Sequence, residues 1–201
     1  MFQTPILFLI FNRPDTTKLV FESIKRIKPA KLYIAADGAR KHKVGEDLLC
    51  KETRSIIDLI DWECEIKTLL RTENLGCKIA VSSAIDWFFE NEEQGIILED
   101  DCLPNESFFN FCEQLLNQFK ENKEIMHISG NNFQDGITRG DGSFYFSKYN
   151  HIWGWATWKR AWKLYNVKLE IEDKKEIEIF IEKNFETKKI LYFIFRPKKI
   201  K

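Results

Sequence analysis

The 201-residue chain has no excess of charge, because 31 lysine and arginine residues balance 31 aspartate and glutamate residues. Because the chain has no net positive charge, its overall charge does not favour binding to the phosphates of nucleic acid. The apolar segment at residues 5–11 is too short to span a membrane, and it has no basic segment before it and no small-residue cleavage site after it. With 44% hydrophobic and 31% charged residues, the composition is that of a globular protein.

The five cysteines lack any pattern that would predict a metal site or a set of disulfides. They are scattered and odd in number, and none stands in a CxxC or Cys/His spacing. Reduced thiols in a cytoplasmic protein are therefore expected. The chain also lacks internal repeats and low-complexity linkers, which predicts one structural domain.

Apolar runs alternate with segments of helical spacing through the first half of the chain. Strands are predicted at residues 4–11, 31–36, 63–70 and 95–98, with helices from Pro14, at 46–60 and after Gly76. This alternation predicts an α/β fold with a Rossmann-like, mostly parallel sheet flanked by helices. Farther on, we expect a helix at 107–120, a strand at 124–129, a loop at 130–142 and a short strand at 144–147.

Polar clusters follow the predicted strands at the points where they end. They lie at residues 12–13, 37–38, 71–76 and 99–101. Ligands of parallel sheets collect at the carboxyl ends of the strands, so these clusters are expected to converge on one edge.

The cluster Glu99-Asp100-Asp101 is the most unusual, since three consecutive carboxylates follow an apolar strand. Carboxylates packed this closely repel one another unless a cation, a sugar hydroxyl network or solvent compensates them. Mg²⁺ and Mn²⁺ choose carboxylate oxygens and bring phosphates with them. The triplet therefore predicts a site for a metal-bound diphosphate.

Four ordered segments resemble the GT-A-fold glycosyltransferases, above all the N-acetylglucosaminyltransferase I group and its bacterial family 2-like relatives. The likeness runs from about residue 4 to residue 165 and is specific because the segments occur together. The segments are 5–14, 35–38, 71–76 and 97–104, the last followed by Phe108 and Phe109.

The resemblance implies a donor site for a nucleotide-diphosphate sugar, with Mn²⁺ or Mg²⁺ as cofactor. In it Asp101 would be the direct metal ligand, Asp100 a ribose contact and Glu99 a donor-sugar contact. Asp37 would accept a hydrogen bond from the base, and Arg13 and Arg71 would face the nucleotide or its phosphates. The full implied nucleotide-sugar set is Phe11, Asn12, Arg13, Asp37, Arg71, Asn74, Gly76, Glu99 and Asp100.

An aromatic cluster at residues 151–158 resembles the acceptor-side segment of the same family. Trp153, Gly154 and Trp155 are predicted to lie in a transition from loop to helix, where indole rings could form the floor of an acceptor-sugar site. Trp158 and Trp162 fit core positions, and His151 fits a structural hydrogen-bonding role. The segment at residues 129–132, Ser-Gly-Asn-Asn, has the composition of a turn, and this interpretation is slightly favoured over donor-sugar binding by its Asn amides.

The predicted organisation is a nucleotide-sugar-binding half at 1–104, an acceptor-side half at 105–170 and a helical tail at 171–201. The tail suggests a premature terminus, and the general base that an inverting transfer needs is unknown and expected to be missing. Asp135, Asp141 and Asp173 are candidates by residue type alone.

The sequence thus predicts a metal-dependent glycosyltransferase that uses a UDP-sugar donor and a glycan or glycolipid acceptor. It would act in the cytoplasm, at the inner face of a membrane, without a transmembrane segment and without nucleic acid. Two alternatives remain. One is a sugar-phosphate nucleotidyltransferase, although residues 12–15 replace the glycine-rich loop expected there; the other is a non-catalytic remnant that binds a nucleotide sugar.

Overall fold

The computed structural model describes residues 1–134, 136, 137, 140–168, 175, 179 and 183. The chain divides into two units, Met1–Tyr165 and Asn166–Lys201, and every element below belongs to the first. The candidate acids Asp135 and Asp173, and all of the predicted tail except residues 175, 179 and 183, lie outside the described residues.

Six strands form one sheet in the order β3-β2-β1-β4-β6-β5. Adjacent strands among β3, β2, β1 and β4 are parallel, whereas β6 is antiparallel to both β4 and β5. The predicted α/β class with a mostly parallel sheet is therefore confirmed. The strands are β1 (Ile6–Ile10), β2 (Lys31–Ala36), β3 (Glu65–Leu70), β4 (Gln94–Glu99), β5 (Ile128–Ser129) and β6 (Trp155–Trp158).

Helices cover both faces of this sheet. Pro14 opens the first helix, where its missing N–H costs no hydrogen bond, and Asn105 caps the fourth by accepting from the Ser107 amide at 3.1 Å. The helices are α1 (Pro14–Ile27), α2 (Glu46–Arg54), α3 (Cys77–Asn91), α4 (Glu106–Gln118) and α5 (Lys159–Trp162), with a 3₁₀ helix at Ser55–Leu59.

The core has two layers, one on each face of the sheet. Helices α1 and α4 pack against one face with Phe21 and Phe109, while α3 packs against the other with Phe88. All five residues of β1 are buried, as expected for a central parallel strand covered on both sides. This burial explains why the first strand reads as one continuous apolar run.

The structure corrects four of the element predictions. Residues 144–147 are not a strand, and the predicted strand at 124–129 shortens to two residues, Ile128–Ser129. Trp155, predicted within a transition from loop to helix, begins a buried strand, Trp155–Trp158, which lies between β4 and β5. The helix predicted at 46–60 is an α-helix followed by a 3₁₀ helix.

Among the helices built from described residues, none combines the length and the apolar character that crossing a bilayer requires.

Gly95 in β4 tests how tightly the α3 face is packed. A methyl group there would overlap the Phe88 ring and lie 2.8 Å from the Pro5 carbonyl oxygen. We expect Gly95→Ala to lower the free energy of unfolding by about 1–3 kcal/mol, measured by urea denaturation, because buried neighbours would have to move. Gly142→Ala is the control: its methyl group would lie 3.1 Å from the Phe144 carbonyl oxygen, but on an exposed loop and against no buried ring, so the change should be no more than about 0.5 kcal/mol. Equal effects of the two changes would contradict this packing.

Candidate nucleotide-sugar site at the carboxyl edge of the sheet

The strand order reverses direction between β1 and β4, and this point creates the candidate site. From β1 the chain continues to β2 and β3 on one side, whereas β4 lies on the other side. Crevices at such switch points are the usual ligand sites of open α/β sheets. Because Leu9 is paired with Glu99, residues 11–13 and 99–101 leave the sheet side by side.

Arg13 joins these two segments by pairing with both aspartates of the triplet. Its Nη2 lies 2.7 Å from Asp100 Oδ1 and its Nη1 lies 2.7 Å from Asp101 Oδ2. Asp100 is buried and also accepts a hydrogen bond from the Phe11 amide at 3.2 Å. The compensating cation that the triplet requires is thus supplied in part by the chain itself.

Arg13 leaves the triplet short of positive charge, since one guanidinium cannot balance three carboxylates. Burial raises the pKa of Glu99, and the neighbouring Asp101 and Asp100 raise it further. Burial also raises the pKa of Asp100, although Arg13 opposes this effect. Among the described residues no hydrogen bond or ion pair reaches the Glu99 carboxylate, which lines a large groove next to the crevice.

The triplet fits a metal ion only in combination with a ligand. Among the described residues, no group of three or more His, Cys, Asp or Glu side chains is placed to hold a metal. The Asp101 side chain is 47% exposed, however, and Mg²⁺ sites often use one or two carboxylates and complete the shell with phosphates and water. The residues therefore suit an ion brought by a diphosphate, and the Mn²⁺ or Mg²⁺ assignment stays a prediction.

Asp37, predicted to contact the base, fixes the loop before α3. Its two carboxylate oxygens accept from the backbone amides of Gly38, Leu75 and Gly76 at 3.0–3.1 Å, and from Asn74 Nδ2 at 3.0 Å. The side chain is buried, at 8% exposure of the residue. The structure thus gives Asp37, Asn74 and Gly76 a loop-positioning function, and their contacts to a nucleotide stay predictions.

Arg71 and Arg54 hold the far end of this edge. Arg71 Nη2 donates to Ser83 Oγ on α3 at 2.8 Å, so its predicted phosphate contact would require this bond to be shared or broken. Arg54 was missed by sequence reasoning; its Nη2 donates to the carbonyl oxygens of Asp37 and Arg71 at 2.9 and 2.6 Å. A helical arginine with no motif around it gave no signal for this role.

Glu46 organises a second network that the sequence did not predict. It accepts from the Arg40 amide at 2.7 Å and from Asn12 Nδ2 at 2.9 Å, and it pairs with the Arg40 guanidinium. The Arg40 guanidinium lies 5.5 Å from the centre of the Phe11 ring. Phe11 and Asn12 are thereby held beside the crevice, as a nucleotide-binding role would require.

The predicted acceptor side opens onto a groove of about 1480 Å³ that begins at Glu99 and Asp101. Trp153 is 62% exposed and lines this groove together with Gly154. Gly154 has a φ of 77°, a backbone conformation that favours glycine. Trp155 does not line the groove: it is 8% exposed, stacks on His127 and packs in the α3 core. The structure therefore removes Trp155 from the predicted acceptor platform.

The two other tryptophans behave as expected of structural residues. Trp158 is buried and donates to the Leu116 carbonyl oxygen at 3.1 Å, and Trp162 packs against the α3 core. His151 offers its carbonyl oxygen to His127 Nε2 at 2.8 Å. In the 129–132 segment, the Asn131 amide donates to Ser129 Oγ at 3.2 Å, which is turn chemistry.

Comparison with known proteins assigns the chain to no family. No family model matches it, and none of the curated proteins does. One solved structure that it resembles is 4-diphosphocytidyl-2C-methyl-D-erythritol synthase from Anaerococcus prevotii DSM 20548. The two share 11% sequence identity over 98% of this chain and 86% of that chain, with a TM-score of 0.42.

Asp37 offers a test of the loop that borders the site. Asp37→Ala would leave the amides of Leu75 and Gly76 without their carboxylate acceptor. We expect the free energy of unfolding to fall by about 2–3 kcal/mol, because hydrogen bonds to a charged group are worth more than neutral ones. Glu73→Ala removes an exposed carboxylate from the same loop and is the matched control, with an expected change below about 0.5 kcal/mol. If Asp37→Ala were no worse than Glu73→Ala in urea denaturation, the assigned role would be wrong.

Glu46 should give a pH signature. Its hydrogen bonds from Arg40 lower its pKa from 4.5 to about 2, with burial opposing the shift. The unfolded chain then binds more protons between these values, so Glu46 stabilises the fold above about pH 4.5 and loses this contribution as the pH falls towards 2. We expect Glu46→Gln to reduce the rise in unfolding free energy over this range, measured by urea denaturation at several pH values. The exposed Glu52→Gln should leave the rise unchanged; the same profile for Glu46→Gln and wild type would refute the assignment.

Proposed function

We propose that this chain binds a nucleotide-diphosphate sugar, with UDP as the expected nucleotide, in the crevice between β1 and β4. It would transfer the sugar to a glycan or lipid-linked acceptor, with inversion as the family resemblance implies. One observation carries the proposal: a guanidinium and three carboxylates meet at the switch point of the sheet and open directly into a large groove. Such a place suits a ligand with a charged centre and a sugar on one side of it.

Arg13 supports diphosphate binding by its geometry. Its two contacts with Asp100 and Asp101 use Nη1 and Nη2 only, and a guanidinium has five N–H donors. The side chain is 49% exposed, so its remaining donors are accessible to phosphate oxygens. A fork held in place by two carboxylates loses little freedom when it binds, which favours phosphate recognition.

Asp101 is the residue proposed to hold the Mn²⁺ or Mg²⁺ ion, because it is the exposed aspartate of the pair. A bound ion would neutralise the charge that develops on the diphosphate leaving group. Asp100 is buried, and its two oxygens accept from Arg13 and from the Phe11 amide, so it fixes the backbone between the two strands. Its proposed contact to the ribose would require one of these bonds to be shared or broken. Glu99 faces the groove, where the donor sugar would lie.

A sugar-phosphate nucleotidyltransferase is the second candidate. It would use the same edge of the sheet and the same diphosphate chemistry, and the synthase named above is nearer by name to this activity than to glycosyl transfer. A likeness at that TM-score does not decide between the two. The loop after β1, with Asn12, Arg13 and Pro14 and without glycine, favours glycosyl transfer.

Calorimetry of UDP binding with and without Mn²⁺ tests the donor site. We expect Mn²⁺ to strengthen UDP binding to the wild type. In the presence of Mn²⁺, Asp101→Ala should bind UDP at least about tenfold more weakly than the wild type, because the ion would lose its protein ligand. Arg13→Ala should weaken binding both with and without Mn²⁺. Asp47→Ala removes an exposed aspartate elsewhere and should bind as the wild type does. Metal-independent binding, or an Asp101→Ala variant equal to the wild type, would remove the metal assignment.

Two turnover assays separate the candidate activities. Release of UDP from UDP-sugars, by hydrolysis or by transfer, would support a glycosyltransferase. Release of pyrophosphate from a nucleoside triphosphate and a sugar 1-phosphate would support the nucleotidyltransferase instead. Binding without either release would support the non-catalytic remnant.

A further inference from the structure

The outer edge of β3 has no partner among the described residues. This strand ends the sheet and pairs only with β2, and it has six residues, whereas β5 at the opposite edge has two. In the described part of the chain, no backbone or side-chain group bonds to the outer side of β3. An open strand edge of this length presents a row of backbone donors and acceptors that another strand can use.

The backbone pattern shows which residues face outwards. Glu65 donates its amide N–H to the Ala30 carbonyl oxygen at 2.8 Å, on the side of β2. Backbone groups alternate in direction along a strand, so Ile66, Thr68 and Leu70 direct both their N–H and their C=O groups away from β2. These three residues are therefore the ones that can bond to an added strand.

The side chains of the same three residues are only partly covered. Ile66 and Leu70 are 40% and 41% exposed, and Thr68 between them is exposed as well. They lie on one face of the strand, whereas Lys67 lies on the α3 face, with its Nζ 5.4 Å from the centre of the Tyr33 ring. An apolar pair around a β-branched residue is typical of a strand whose face is covered by neighbours.

The strand is complementary to a second copy of itself. A copy related by a two-fold axis through Thr68, perpendicular to the sheet, would add an antiparallel strand. Ile66 would then lie opposite the partner's Leu70, and Glu65 opposite the partner's Arg71 on the α3 face. The Glu65 side chain is 51% exposed, and Arg71 donates to α3 through Nη2 alone of its several guanidinium donors in the described part of the chain. Apolar pairs and opposite charges placed in this way stabilise a strand pair.

Other registers fit less well. An axis through Lys67 would place Lys67 opposite its own copy, and an axis through Leu69 would place Lys67 opposite the partner's Arg71. Like charges directly opposite each other destabilise a strand pair. An axis through Ile66 or Leu70 would leave part of β3 without a strand residue opposite it. The charge pattern and the strand length therefore both favour the axis at Thr68.

We infer that two copies of this chain associate through antiparallel pairing of their β3 strands about Thr68, which joins the two sheets into one. The partner is thus a second copy of the chain, and the inference does not rest on the proposed function. The donor crevice between β1 and β4 lies away from this edge, so each copy would keep its own site.

Sedimentation velocity of the full chain over a concentration series tests the association. We expect a monomer–dimer equilibrium, weakened at least about tenfold by Thr68→Pro, which removes an outward N–H, and by Thr68→Lys, which places like charges opposite each other. Thr68→Lys leaves the backbone unaltered and keeps the test valid if the proline variant fails to fold. Thr68→Val, uncharged and β-branched, is the matched control and should dimerise as the wild type does. Monomer alone up to about 100 µM, or dimers that both disruptive variants leave unweakened, would overturn the inference.

Disulfide cross-linking tests the register. In Thr68→Cys the two new thiols would lie opposite each other, at the Cα separation of about 5.5 Å that a hydrogen-bonded pair has and a disulfide accepts. In Ile66→Cys, on the same face, they would be about 13 Å apart along the strands, too far to bridge. We expect Thr68→Cys to form covalent dimers under mild oxidation faster than Ile66→Cys and wild type, whose native cysteines give the baseline. Equal or faster cross-linking of Ile66→Cys would overturn the pairing about Thr68.

Discussion

The pairing of Arg13 with Asp100 and Asp101 is the interaction around which this edge of the sheet is organised. Three consecutive carboxylates at the end of a buried strand would repel one another and would favour protonation. Arg13 relieves two of them at 2.7 Å, and it does so from the loop that follows the neighbouring strand, β1. The ion pair therefore ties the loop after β1 to the loop after β4, and it holds the crevice at the switch point in one geometry.

The remaining loops of the donor side depend on charged groups in the same manner. Asp37 binds the amides before α3, Arg54 binds the carbonyl oxygens that follow β2 and β3, and Glu46 holds Arg40 and Asn12. Each of these charged side chains forms hydrogen bonds with several polar groups at once. These bonds offset the cost of removing the charge and the backbone groups from water. The donor edge is thus built from charge-assisted contacts. The described lining of the groove is different: apart from Glu99 and Asp101 at its edge and two histidines, it consists of apolar and uncharged polar residues.

The elements that the sequence predicted best are those fixed by local pattern. Continuous apolar runs predict β1 and β2 directly, and Pro14 marks the start of α1. Strand β6 was missed because Trp155 and Trp158 are spaced as on a helix, while the strand places Trp155 and Trp158 on opposite faces of the sheet. The pairing with β4 and β5 makes this segment a strand rather than a helix. This pairing joins residues far apart in the sequence, so the local spacing does not reveal it.

The same distinction holds for the candidate site. The convergence of polar clusters could be predicted because parallel strands carry their carboxyl ends to one edge, but the partner of each side chain could not. Arg13 and Arg71 look alike in sequence, and yet one pairs with the triplet and the other with Ser83.

Asp37 and Asp101 likewise look alike as aspartates that follow strands. Asp37 is buried with its oxygens already accepting backbone amides, whereas Asp101 is half-exposed with a single arginine partner. Oxygens already engaged by the fold are poor candidates for a ligand, because their bonds would have to break first. Within the described part of the chain nothing pairs with the Glu99 carboxylate, so Glu99 carries no such cost. Asp101 would have to share its contacts with Arg13 and the Cys102 thiol, but its side chain is 47% exposed. These two residues also line the groove, so any ligand that bridges crevice and groove must pass over them.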